Sequence, residues 1–369
     1  MFDDFNEKLA KLVVHYSVDT KPGDKVIIQT QTVAEDLARE VYKELIIAGA
    51  NILDISLSIP EVSEIFFRYA KDEQINFENP LRKEAVKMAD ILINIYSESN
   101  LSGMMNIDPK KIMMRQKANE ETNKIYFERS GSEELKWTIC PFPTTAFAQE
   151  AKMGTIQYKE FVYKALALDK PDPVAYWKST EEKQEKVVQI LNKGKKMRIV
   201  GEDTDITFGI ENRPWINSCG KKNLPDGEVF TSPIENMTNG KIRFTYPGIY
   251  MGQEVEDIYL EFKDGKVVNF DAAKGKDLLE QVLGIENANI LGELAVGTNY
   301  GITNFTKNML FDEKMGGTIH LALGNGFEQS NSKNRSTIHW DILKDMKSED
   351  SVIYLDDQAI YKAGKWIIP

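Results

Sequence analysis

Three histidines occur in the 369 residues, and one of them, His339, lies two positions before Asp341 in the stretch RSTIHWDIL. The run reads as a β-strand, so both side chains leave the same face and offer an imidazole and a carboxylate to one point. Such a pair suits a borderline divalent ion such as Zn2+, Co2+ or Mn2+, and the ion would supply the counter-charge that a buried aspartate needs. A solvated edge position is the plain alternative. His320, in TIHLALG, falls in another strand-like run, where it is either a packed, hydrogen-bonded residue or a second ligand. His15 belongs to an N-terminal helical stretch and is read as a core or surface residue.

Two carboxylates stand out by context. Glu228 follows a Pro-Asp-Gly turn in NLPDGEVFTSP, and Glu293 stands amid small and apolar residues in ILGELAVGTN. A two-metal hydrolytic site needs a carboxylate bridging ions about 3.5 to 4 Å apart, further His and Asp or Glu ligands, and open positions for water. Composition and spacing do not choose these two over the other acids, and either residue could be an ordinary edge or cap position.

The elements that must position these residues fall into two regions. The first alternates strand and helix. DKVIIQT, NILDISL, DILINIY and KWTIC read as strands, and AEDLAREVYKELIIAGA, RKEAVKMA and PKKIMMRQKANEETNKIYFER as helices. That order predicts an α/β domain with a doubly wound, mostly parallel sheet over residues 1–190. None of its strand-to-helix turns carries a phosphate-binding glycine pattern, and Gly324 with Gly326 reads as a turn, so no nucleotide cofactor is assigned. Residues 152–195 read as helix. From MRIVGEDTDITFGI onward the chain becomes short strands with turn signals, KDGK being a hairpin signature, which predicts a β-rich α+β domain over residues 191–369.

Composition bounds the partners. With 57 acidic against 46 basic residues the net charge is −11, and no basic block is long enough to track a phosphate backbone, so nucleic acid is not expected. The acidic, amphipathic start differs from a secretory signal, and no apolar stretch approaches the roughly 20 residues that span a bilayer, so a cytoplasmic protein without membrane contact is expected. Cys140 and Cys219 are far apart and are expected to be core residues in a reducing compartment.

Taken in order, NLPDGEVFTSP, LGELAVGTN, FDEKMGGTIHLALGNG and NRSTIHWD resemble the metal-site motifs of the thermophilic-aminopeptidase family of metallopeptidases, the aminopeptidase T and aminopeptidase S group. The likeness extends to DTDITFGIENRPWIN and, more weakly, to WTICPFPTTAFAQEA, so it spans nearly the whole chain. It implies that Glu228, Glu293, His320, His339 and Asp341 hold two divalent ions. Glu293 would bridge them and serve in catalysis, with His339 and Asp341 on one ion and Glu228 and His320 on the other. It also implies a homodimeric metallo-aminopeptidase that uses a metal-activated water to remove the first residue of short peptides. The site would lie in the C-terminal domain, enclosed by the N-terminal domain and the partner subunit.

One position departs from the pattern. Where the family has an active-site tyrosine, this chain has Phe327, which has no hydroxyl to donate. Losing one oxyanion donor typically costs about 10²- to 10³-fold in rate. Another donor substitutes, the correspondence slips locally, or the protein is a slowed or non-catalytic metal-binding descendant. A mononuclear iron oxygenase is a further alternative, because two histidines and an aspartate can form a facial triad; it leaves Glu228 and Glu293 without roles.

Overall fold

The computed structural model describes residues 4–368, which form two compact units. One holds the chain up to Tyr176 together with Gly220–Pro225; the other holds Trp177–Cys219 and everything from Asp226 onward. The composition shift near residue 190 marks where the strands begin, whereas the change of packing falls earlier, inside the helix Pro173–Leu191. That helix buries Trp177, Gln184, Val187, Val188 and Leu191, all residues of the second unit.

The first unit carries four strands, β1 (Lys25–Gln31), β2 (Asn51–Ser58), β3 (Ile91–Tyr96) and β4 (Lys136–Pro141), all parallel in the order β2-β1-β3-β4. The register sets Val26 beside Ile91 and Ile28 beside Ile93, and these four side chains are fully buried on one face. The opposite face buries Ile27 with Val86, Ala89 and Leu135. The second face is covered only in part, since β3 alternates buried and half-buried residues and β2 is exposed along nearly its whole length. Cys140 is buried here, and burial pushes its thiol up to about 12; Cys219 is buried in the second unit, and the two are not joined in a disulfide.

In the second unit an eight-stranded sheet takes β5 (Lys196–Gly201), β6 (Thr204–Gly209), β9 (Thr238–Arg243), β12 (Tyr259–Lys263), β13 (Lys266–Asp271), β17 (Val352–Leu355), β18 (Gln358–Lys362) and β19 (Lys365–Trp366). A five-stranded sheet takes β7 (Ile216–Ser218), β8 (Glu228–Thr231), β14 (Leu291–Gly297), β15 (Thr318–Gly324) and β16 (His339–Asp345), in the order β16-β15-β14-β8-β7. A small hairpin joins β10 (Gly248–Tyr250) to β11 (Gln253–Val255). The expected KDGK hairpin is the turn between β12 and β13, with Asp264 and Gly265 both at positive φ, 50° and 83°.

One apolar core is shared by the two sheets. The eight-stranded sheet contributes Ile199, Ile206, Phe208, Ile242, Leu260 and Ile353, and the five-stranded sheet Val229, Leu294, Val296, Ile319, Leu321, Leu323, Trp340 and Ile342. Each such side chain taken from water contributes about 1.5–3 kcal/mol, so the face of the five-stranded sheet that enters the core is fixed strongly. Side chains alternate along a strand, and the other face of that sheet is thereby fixed as well.

Candidate metal centre

The residues left for the second face include all five candidate ligands. Across β14 and β15, Ala295 faces His320 and Glu293 faces Ala322; across β15 and β16, Ala322 faces Asp341 and Gly324 faces His339. Across β8 and β14, Glu228 faces Gly297 and Phe230 faces Ala295. Alanines and glycines thus alternate with the larger polar side chains and leave these room to converge. Glu293 reaches this face only because the register shifts between Leu291 and Glu293. Leu291 lies in the core, and strict alternation would have sent Glu293 there too; a bulge at Gly292 reverses the parity. A side chain at Gly292 would come within 2.0 Å of the Asn325 carbonyl oxygen, so the bulge needs glycine.

The five side chains come together in two groups that share Glu293. Glu228, Glu293 and His320 form one, and Glu293, His339 and Asp341 the other, with the donor atoms of each group within 4.8 Å of one another. His320 Nε2 lies 3.5 Å from Glu228 Oε2 and 3.6 Å from Glu293 Oε1. His339 Nε2 lies 2.9 Å from Glu293 Oε2 and 3.4 Å from Asp341 Oδ1. An Nδ1–H donating to the Asn325 carbonyl at 2.8 Å fixes the His339 ring and turns Nε2 toward Glu293 and Asp341. Glu228, Glu293 and His320 are 5, 4 and 1 % exposed.

Sequence reasoning missed Lys314. It is fully buried, with Nζ 3.7 Å from Glu228 Oε1 and also paired with Glu313. Basic and acidic groups therefore alternate in a row, Lys314, Glu228, His320, Glu293, His339, Asp341. The only signal was a lysine inside the FDEKMGG motif, and burial of a lysine is not readable from the string. The strand that follows carries His320, so chain proximity brings Lys314 to the site.

Titration follows from this row. Burial pushes Glu228 up to about 7, opposed by the charges of Lys314 and His320. Burial alone would lower His339, but Asp341 and Glu293 beside it raise it to about 12. Burial would raise Asp341, and the His339 and His320 charges instead hold it down to about 2. Glu293 is likewise held low and His320 high, burial being outweighed by their mutual contacts. The acids thus draw protons onto the imidazoles, positive charge that a bound cation would replace. Glu228 Oε2, Asp341 Oδ1 and His320 Nδ1 are buried without a hydrogen bond, so donor atoms remain that a cation could take up. Oxygen and nitrogen donors of this kind fit one or two divalent cations.

Phe327 stands beside the site. Its ring centroid is 5.1 Å from that of His339, edge to face, and 5.0 Å from that of Phe230, while its backbone N–H donates to Ser232 Oγ at 3.1 Å. His15, by contrast, pairs with Glu44 Oε2 at 3.1 Å in the first unit.

A sheet face that gathers imidazoles and carboxylates around one shared glutamate, opposite a packed core, is a donor arrangement of the kind metal-dependent hydrolases use. The family model for thermophilic metalloproteases (M29) matches residues 2–366, and the chain belongs to that family. Among its relatives, Aminopeptidase 2 of Geobacillus stearothermophilus is 26% identical over 377 residues, covering 95% of this chain and 90% of that protein. Aminopeptidase AmpS of Bacillus subtilis is 26% identical over 410 residues, covering 99% of each. The structure of wild-type AmpT from Thermus thermophilus superposes with a TM-score of 0.85 over 100% of both chains at 23% identity, a likeness of fold.

Proposed function

We propose that the protein is a two-cation aminopeptidase that removes the first residue of short peptides. The observation that carries this reading is the position of Glu293, common to both donor groups. Divalent cations such as Zn2+, Co2+ or Mn2+ held there supply Lewis acidity toward the scissile carbonyl and make a water acidic enough to act as nucleophile near neutral pH. Glu228 and His320 would hold one and His339 and Asp341 the other. The three carboxylates also favour the free α-ammonium group of a substrate, which places the first peptide bond rather than an internal one at the site. A carboxylate at or beside the cations has to carry the proton to the leaving amine, and Glu293 would do so only when one of its oxygens is released from bridging.

A second reading, a slowed or non-catalytic metal-binding descendant, is favoured by Phe327, since a phenyl ring beside His339 donates no hydrogen bond to an oxyanion. The mononuclear oxygenase loses support: His320 groups with Glu228 and Glu293 and not with the His339–Asp341 pair. Homodimerisation and a cytoplasmic location are proposed with the family resemblance; among the described residues no helix is long and apolar enough to cross a membrane.

The test loads the protein with Co2+ or Zn2+ and measures bound metal, molecular mass by light scattering, and release of first residues from short peptides. Two ions per chain, a dimer and release abolished by Glu293→Gln are expected. Full metal occupancy without release from any peptide would leave the non-catalytic reading standing.

A further inference from the structure

Phe230 and Glu228 are two residues apart on β8 and therefore leave the same face of the sheet. Phe230 stands opposite Ala295, and the next residue in that row is His320. Phe327 approaches from the loop after β15 and lies against both Phe230 and His339. Both phenyl rings are half-buried, neither sealed in the core nor free in water. Two aromatic faces thus border a group of buried charges, which is an arrangement with an apolar wall and a polar reaction point. A tyrosine at 327 would put a hydroxyl into this wall; the phenylalanine leaves it wholly apolar.

We propose that Phe230 and Phe327 form the specificity wall of the site and select substrates whose first residue carries an uncharged apolar side chain. The inference rests on the aminopeptidase reading. With the α-ammonium and the first carbonyl drawn to the carboxylates and imidazoles, the side chain branching between them lies within reach of the two rings. A branched or aromatic side chain covers those rings and removes water from both surfaces, and each methylene so buried changes discrimination by roughly ten- to two-hundredfold. Glycine has nothing to place there. A lysine or glutamate side chain would have to lose its hydration against hydrocarbon.

The test uses the full chain loaded with Co2+ and reads two quantities, kcat/KM on amide reporters and calorimetric affinity for the free amino acids. Leucine, methionine and phenylalanine, as first residue or as free ligand, are expected to exceed glycine, lysine and glutamate by about tenfold or more. Phe230→Ala and Phe327→Ala should cut that ratio about tenfold, measured at full metal loading. Should either alanine variant fail to fold, Phe230→Leu and Phe327→Leu should still shift the preference between phenylalanine and leucine. Equal values for apolar, charged and glycine ligands would overturn the proposal, as would variants that lower all of them alike. Absence of turnover with apolar amino acids still bound preferentially would count against the aminopeptidase reading and in favour of the wall.

Discussion

The His339–Asp341 pair was legible at the level of single residues, because a spacing of two on a strand settles which way both side chains point. Glu228, Glu293 and His320 came from the family motifs and not from spacing, and Lys314 came from neither. The proton balance at these residues has a measurable consequence. His339 is raised from an ordinary 6.5 to about 12, so its proton contributes stability that is fully present below 6.5 and lost as pH climbs toward 12. Asp341 is lowered from 3.8 to about 2, so its charge contributes stability present above 3.8 and lost as pH falls toward 2. A cation entering the metal-free site at pH 7 has to displace the imidazole protons. Calorimetry in buffers of different ionisation enthalpy should show proton release on binding, and affinity should rise with pH; proton uptake would contradict the charge row. Phe327→Tyr, measured on a cation-loaded sample, is expected to raise kcat by as much as about 10²- to 10³-fold if the missing hydroxyl is what limits the rate. An unchanged kcat would mean that another donor already serves.

At the scale of elements, β15 and β16 were readable as strands, and β16 also in its facing, with Trp340 and Ile342 entering the core while His339 and Asp341 face the other way. The bulge at Gly292 was not, since a glycine in a strand-like run signals a bulge, a bend or a close approach equally well. Yet that one residue decides whether Glu293 faces the core or the metal centre. Gly292→Ala forces a Cβ to within 2.0 Å of the Asn325 oxygen and 2.6 Å of the Gly324 oxygen, both backbone atoms that cannot step aside. It is expected to lower unfolding stability by about 1–3 kcal/mol in denaturant melts and to weaken cation binding more than tenfold. Wild-type cation affinity in that variant would show that the bulge does not aim Glu293.

For the molecule as a whole, the sequence announced two architectures because their patterns differ physically. A parallel sheet with crossover helices reads as strand and helix in turn, and an antiparallel pair of sheets sharing one core reads as short strands with turns. What the patterns could not place was the packing boundary, since the helix Pro173–Leu191 looks the same whichever unit it serves, and its buried face belongs to the second. The segment Gly220–Pro225 likewise belongs with the first unit although the chain around it belongs to the second, an excursion that no local pattern encodes. The family match over residues 2–366 covers both units. The proposed cation pair belongs to one sheet face in the second of them, around Glu293. Anomalous scattering from a crystal of the Zn2+- or Co2+-loaded protein tests it most directly. Two peaks about 3.5–4 Å apart, one on each side of Glu293, are the expected result. A single peak, or peaks that do not touch Glu293, would contradict it.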